Sequence, residues 1–414
     1  MKNTVNSFSL SGTIRVPASK SYAQRALYTA LLAKGESCLR GITWSDDTLH
    51  AAHAILSLGA QIRTVGPDLY VTASRTPRTD HIYIAESGLS ARMLSALLLI
   101  YPGKMELHGA HGLLQRPMDS MVSVYEQLGV DYNLQGRYLP LRLIGPQTLA
   151  PITVDGSESS QHVSGLLLAL AALNYGHELR VERITSRPYI DMTIAMLRSF
   201  GAEWKETSEG LFHLAEGSAL RSTRYEIEGD WSGASYPIAG AVISGDLSIK
   251  GLHNDSLQAD RAILTIPGLR YEWKGQDLYV PRQDLAGFTF DATHCPDLFP
   301  ALVAMATYAT GPSTITGTSR LRHKESNRSQ ALQSEYGKLG VRIDLSGDEM
   351  IIHPSTPQAA VVDSHNDHRI AMSLAIAASR AAGPITIERC EAVSKSYPSF
   401  HEDFIERGAK FSLE

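Results

Sequence analysis

Apolar residues recur along this chain in two alternating rhythms. Runs with helical spacing, such as "SKSYAQRALYTALLA", "LSARMLSALLLI", "SGLLLALAALN" and "LFPALVAMATYA", are separated by short stretches in which apolar and polar residues take turns. The first pattern predicts helices with a wide apolar face, and the second predicts half-buried strands. One small motif joins them: a helix-like run, a glycine, then a strand-like run. Its copies are "LSLGAQI" (Gly59), "EQLGVDY" (Gly129), "RSFGAEW" (Gly201) and "GKLGVRI" (Gly340), with weaker copies at Gly268 and Gly408. Successive glycines lie 70, 72, 67, 72 and 68 residues apart. A helix closed by a left-handed glycine and followed at once by a strand explains each copy, because glycine takes that backbone conformation without penalty. A further apolar run falls between successive glycines, so each unit is expected to hold two helices and several short strands. Six such units, grouped as two lobes of three, describe an α/β protein.

Composition narrows the setting. At 414 residues the chain exceeds one ordinary core. Hydrophobic residues make up 43% and charged residues 20%, as in folded globular proteins. A net charge of −5 argues against nucleic acid or an anionic membrane as partner, so any anion binding must be local. Cys38, Cys295 and Cys390 are scattered and form no CxxC, which suits a reducing compartment and disfavours a disulfide framework or a thiolate zinc site. The longest apolar run, Leu166 to Leu173, is far short of a membrane span, and "MKNTVNSFSL" lacks the apolar core of a signal peptide. A cytoplasmic location without a presequence is expected.

The cations carry the chemistry. Helix starts are electropositive and ordinarily attract acids. Here several predicted starts hold bases instead: Lys20 and Arg25 beside Ser19 and Ser21, Arg92, Arg116 before Pro117, Arg187 before Pro188, the cluster Arg322, Lys324 and Arg328, then Arg369 and Lys395. Any one of them reads as a surface cation. Their recurrence points to a substrate with several phosphate or carboxylate groups, which turns each base and each bare helix start into a favourable partner. Ser159, Ser160 and Gln161 of "SSQHVSGLL" add capping and hydrogen-bonding groups. In "DSHNDHRIAM", His365 and His368 lack a third metal ligand of convincing spacing, so Asn366 or Asp367 reads as a helix cap and Arg369 as an anion ligand.

The segments "VPASKSYAQRAL", "SGLSARML", "QRPMDSM", "SSQHVSGLL", "SRPYIDMT", "EGDWSGASY", "CPDLFPAL", "RLRHKESNR", "NDHRIAM" and "SKSYPSF", in that order from residue 16 to residue 400, resemble the 3-phosphoshikimate 1-carboxyvinyltransferase (5-enolpyruvylshikimate-3-phosphate synthase) family. The resemblance implies an α/β, two-lobed enolpyruvyl transferase fold of six βαβαββ repeats, three per lobe, with the active site in the interlobe cleft. One lobe would comprise residues 1–17 and 228–414, including the first strand, and the other residues 18–227. The implied reaction moves the enolpyruvyl group of phosphoenolpyruvate to the 5-hydroxyl of shikimate 3-phosphate and releases phosphate. It needs no cofactor and no metal. The implied partners are those two small molecules, with no nucleic acid, no membrane and a monomeric chain.

Position by position, the resemblance makes Asp297 the base at the 5-hydroxyl, and Glu325 with Lys20 the pair handling the proton at the phosphoenolpyruvate methylene. Lys20, Gly88, Arg116, Gln161, Arg328, Arg369 and Lys395 match the phosphoenolpyruvate set. Lys20, Ser21, Arg25, Ser159, Ser160, Gln161, Ser186, Asp297 and Lys324 match the shikimate 3-phosphate set. The bland alternatives are that Asp297 caps the helix after it and that Glu325 is a capping-box acid. Departures from the family pattern are "ESGL" where an asparagine-containing "NAGT" or "NSGT" loop is common, placing Glu86 and Leu89 there and bearing on the response to glyphosate-like inhibitors, together with Trp231, Gly233 and Arg320. Competing readings are the sibling transferase acting on UDP-N-acetylglucosamine and a non-catalytic RNA or phospho-ligand binding protein. Aromatic content of only 7% disfavours RNA stacking surfaces.

Overall fold

The computed structural model describes residues 1–145, 151–173, 177–322 and 324–414. Asn174 of the third apolar run and His323 of "RLRHKESNR" lie outside the described residues. The chain divides into two compact units, one formed by Met1–Ser19 with Glu228–Glu414 and the other by Lys20–Ile227. Among the described residues, each holds three four-stranded sheets.

All six sheets repeat one order. A parallel pair forms one side, the inner strand of that pair meets a third strand antiparallel, and the third strand pairs antiparallel with the fourth, as a hairpin in every sheet but that of Lys2–Asn6. In the unit Lys20–Ile227 the middle sheet shows the pattern without interruption: His81–Tyr83 pairs parallel with Lys104–His108, which meets Tyr138–Ile144, which meets Asp131–Gln135. Three other sheets take a strand from a distant part of the chain. Arg224–Glu226 supplies the parallel partner of Glu36–Arg40, and Leu10–Arg15 supplies that of Gly245–Lys250. Lys2–Asn6 sits between Ile385–Glu388 and Lys410–Leu413, so two N-terminal strands, not one, belong with the C-terminal sequence.

The recurring glycines stand where the helix–strand junctions require them. Gly59, Gly129, Gly201, Gly268, Gly340 and Gly408 all have positive φ, from +62° to +108°. Four follow directly on the residue that ends a helix, and Gly408 closes Phe400–Ile405 after two residues. Gly268 differs: it follows a 3-10 segment, Ala259–Thr265, in place of the expected second helix, which is why its sequence signature is weak.

Three helices in each unit are buried nearly all round. Every residue of Trp231–Ser244, Phe299–Thr307 and His368–Ala377 is buried, as are almost all of Lys20–Leu32, Gly88–Leu97 and Ser160–Ala172. Helices apolar on all sides belong inside a core, and within each unit the three pack on one another. Apart from buried hydroxyls such as Thr29, Ser95, Ser244, Thr307 and Ser373 their bodies are apolar, and the charged residues of these segments lie in their first two turns. That restriction positions the site.

Candidate functional site

In the unit Lys20–Ile227 the three buried helices begin side by side. Ser87 caps Gly88–Leu97 through the backbone N–H of Ser90, and Ser159 caps Ser160–Ala172 through that of Gln161. Ser87 and Ser90 both donate to Gln24 Oε1, Tyr28 donates to Ser90, and Arg92 donates to Gln161 Oε1 at 3.3 Å. This buried network fixes the backbone at Gly88, whose missing side chain matters: a Cβ there would stand 2.5 Å from Arg116 Nη1. Lys20 opens its helix and pairs with Asp47 at 2.9 Å.

Arg25 is fully buried, and its guanidinium meets only uncharged groups among the described residues: Thr193 Oγ1 at 2.8 Å, the Ser21 carbonyl at 2.9 Å, and Ser164 Oγ and the Tyr189 carbonyl at longer range. Burial pulls its pKa down to about 10. Ser186, buried nearby in sequence to Tyr189, adopts a left-handed conformation at φ +50°. That conformation is uncommon for a residue with a side chain and clusters at functional sites.

In the unit of Met1–Ser19 and Glu228–Glu414, Asp297 is the hub. Its Oδ1 lies 2.6 Å from Arg328 Nη1 and 3.4 Å from Lys324 Nζ, and its Oδ2 lies 3.1 Å from Arg369 Nη2. Arg328 also pairs with Glu325 and, through Nε at 2.8 Å, with the buried Asp367. Burial opposes ionisation of Asp297, but Arg369, Lys324 and Arg328 together hold its carboxyl well below the usual range. Burial lowers the pKa of Lys324, and Arg328 adds to that effect while Asp297 opposes it. Lys395 Nζ donates to the carbonyl of Asn366 at 2.8 Å, beside Asp367.

Asp367 is the cap of His368–Ala377, accepting from the Arg369 N–H at 3.0 Å. His365 turns away to Glu335 Oε1 at 2.9 Å, whereas His368 is buried beside Asp367, so the two imidazoles do not make a metal pair. The bland readings of the carboxylates also fail. The N-cap position of the helix after Asp297 falls on Leu298, with no side-chain cap hydrogen bond, and Glu325 precedes the N-cap residue Asn327 of Arg328–Lys338 instead of following it.

Two expectations about basic helix starts need correction. Pro117 does not open a helix, because a 3-10 segment, Asp119–Met121, intervenes before Val122–Gln127. Arg187 does open one, but it is committed to Asp191 at 2.7 Å and Glu206 at 2.6 Å and is an ordinary surface ion pair.

Sequence reasoning missed Asp260. It is buried in the 3-10 segment Ala259–Thr265 and accepts from Ser232 Oγ, near the start of the buried helix Trp231–Ser244. Burial, reinforced by the charge of Asp297, raises its pKa to about 7. Nothing in "QADRAIL" advertises this, since the shift comes from packing.

The model of the EPSP synthase (3-phosphoshikimate 1-carboxyvinyltransferase) family matches residues 6–404. A 3-phosphoshikimate 1-carboxyvinyltransferase of Thermococcus kodakarensis is 38% identical over 95% of this chain and 96% of its own length, and one of Clostridium acetobutylicum is 32% identical over 98% and 96%. An EPSP synthase from Acinetobacter baumannii superposes with a TM-score of 0.82 at 26% identity over all of both chains. The enolpyruvyl transferase NikO from Streptomyces tendae, at 19% identity and a TM-score of 0.80 over 99% and 98% of the chains, shares the fold. With cationic side chains at buried helix starts in both units, the chain belongs to the EPSP synthase (3-phosphoshikimate 1-carboxyvinyltransferase) family.

Proposed function

We propose a division of labour among this chain's residues for the family's reaction. The chain is an enzyme of the shikimate pathway that transfers the enolpyruvyl group of phosphoenolpyruvate to shikimate 3-phosphate, giving 5-enolpyruvylshikimate 3-phosphate and phosphate. Asp297 takes the 5-hydroxyl proton as the oxygen bonds to C2 of phosphoenolpyruvate, while Glu325 and Lys20 deliver a proton to the methylene carbon. Loss of a proton from the resulting methyl group and cleavage of the C2–O bond to phosphorus then release phosphate and restore the double bond. No cofactor enters this scheme.

Phosphoenolpyruvate draws on Lys20, Gly88, Arg116, Gln161, Arg328, Arg369 and Lys395. Shikimate 3-phosphate draws on Lys20, Ser21, Arg25, Ser159, Ser160, Gln161, Ser186, Asp297 and Lys324. The observation that carries this assignment is the cluster in which one carboxylate, Asp297, meets Arg328, Arg369 and Lys324. Without substrate, the acids occupy the cations that the anionic oxygens of phosphoenolpyruvate would take. When they do, Asp297 loses the charges that suppress its basicity and becomes a competent base.

Phosphate release from phosphoenolpyruvate tests the reading, with shikimate 3-phosphate and UDP-N-acetylglucosamine supplied in turn. Turnover with the first acceptor alone is expected, and Asp297→Ala and Lys20→Ala should abolish it. Turnover with the second acceptor instead would reassign the substrate.

A further inference from the structure

A second constellation lies on the sheet of His81–Tyr83, Lys104–His108, Tyr138–Ile144 and Asp131–Gln135, and it takes no part in the scheme above. His81 and Glu106 are register partners on parallel strands, and His108 follows Glu106 by two residues, so the pleat puts all three side chains on one face. His81 Nδ1 lies 3.3 Å from His108 Nε2. Glu106 Oε2 lies 3.4 Å from the first nitrogen and 3.2 Å from the second. Ligand atoms bound at about 2.0–2.1 Å around a tetrahedral Zn²⁺ stand about 3.3–3.4 Å apart. The three atoms therefore have the mutual spacing of three corners of such a tetrahedron.

Their surroundings support the same reading. Glu106 Oε1 is taken by Lys104 Nζ at 2.7 Å and Arg142 Nε at 3.0 Å, which fixes the carboxylate and leaves Oε2 to the imidazoles. His81 turns its other nitrogen toward Asp80 Oδ1 at 3.5 Å, the carboxylate-behind-histidine arrangement that orients metal-bound imidazoles. Glu106 is buried while His81 is exposed, so the site is anchored from below and open to solvent above.

We propose that His81, Glu106 and His108 bind a divalent first-row transition cation, with the fourth position open to water. Two imidazoles and one carboxylate suit Zn²⁺ and its neighbours and disfavour Mg²⁺ or Ca²⁺, which require more oxygen ligands. The position gives the ion a structural effect on the transferase site. Both strands continue into the segments that carry Gly88 and Arg116, held together by Ile84 N–H to the His108 carbonyl and Ala110 N–H to the Ala85 carbonyl. A cation joining His81 to Glu106 and His108 locks the register of these two strands.

The test is a titration of the full-length, chelator-treated protein with Zn²⁺ by calorimetry and with Co²⁺ by visible absorption. One equivalent is expected, with the intense bands of four-coordinate Co²⁺ and a rise in Tm on adding Zn²⁺. His81→Ala, an exposed and structurally mild change, and His108→Ala should each weaken Zn²⁺ binding by about 10- to 100-fold or more and remove the Tm rise, while His213→Ala leaves both intact. Absence of stoichiometric binding overturns the proposal and leaves a hydrogen-bonded His–Glu network. Undiminished binding in His81→Ala overturns it as well, by placing the ion elsewhere.

Discussion

Arg369 Nη2 lies 3.1 Å from Asp297 Oδ2, so the candidate base is held by a cation assigned to substrate. With Arg328 and Lys324 on its other oxygen, Asp297 stays ionised far into acid and binds protons weakly. Its folded pKa is depressed, so the stability it lends is present above the unfolded carboxyl range and is lost as pH falls through the folded value. Anionic substrate should relieve the suppression by competing for the cations. The acid limb of the kcat profile, which reports the substrate complex, is therefore expected at higher pH than that of kcat/KM, which reports the free enzyme. Asp297→Asn should lower kcat by about 10²- to 10⁴-fold, with binding of shikimate 3-phosphate changed only a few-fold. Coincident acid limbs in the two profiles would refute the relief mechanism.

Arg25 offers the opposite case, a buried charge whose partners among the described residues are all neutral. A buried charge without an opposite charge opposes folding, and exchange for an apolar side chain of similar size is often neutral or stabilising. Thr193 and Ser164 remain hydrogen-bonded to each other at 2.8 Å after its removal. Arg25→Met is thus expected to keep or raise Tm while raising KM for shikimate 3-phosphate by about 10- to 100-fold, the worth of a charge-assisted contact of about 1.5–3 kcal/mol. A large fall in Tm with KM unchanged would make Arg25 a structural residue.

Much of this architecture was legible because glycine spacing reports backbone conformation directly. The six junction glycines needed no tertiary information, and the hairpin glycines Gly66, Gly136, Gly275 and Gly347, each seven residues after a junction glycine, could have sharpened the repeat further. The cations at helix starts were visible for the same local reason. What stayed hidden depends on packing. Arg187 looks like Arg328 in sequence, yet acids on its own helix and on a nearby strand claim it. Asp260 gains its raised pKa from burial that no local pattern reveals. His81 and His108 lie 27 residues apart and meet only because two strands pair in one register.

The junction glycines do not all bear the same constraint. Gly129 has φ +62° and open space where a Cβ would go, whereas at Gly59, φ +101°, a Cβ would fall 2.1 Å from the Thr76 carbonyl oxygen. Gly129→Ala should cost about 1–2 kcal/mol, the left-handed penalty alone. Gly59→Ala adds a backbone overlap and should cost a further 1–3 kcal/mol or so. Urea unfolding of the two variants ranks them, and equal losses would show that φ alone sets the cost.

Asp260 predicts a pH dependence of the opposite sign to that of Asp297. Its folded pKa, raised to about 7 by burial and the nearby Asp297 charge, exceeds its unfolded value, so the native state keeps a proton that the unfolded chain has lost. Between about pH 4 and about pH 7, this group alone should make stability fall as pH rises, by about 1.4 kcal/mol per pH unit. Above that window the native carboxyl ionises too, and its contribution levels off. Asp260→Asn mimics the neutral acid and keeps a group able to bond Ser232 Oγ. The difference between wild-type and variant unfolding free energies, measured in urea from pH 5 to pH 8, isolates this one group from the rest of the chain. The variant is expected to gain on the wild type steadily up to about pH 7 and no further. A difference that does not change with pH would mean that Asp260 is already ionised across the window, with Arg369 outweighing its burial.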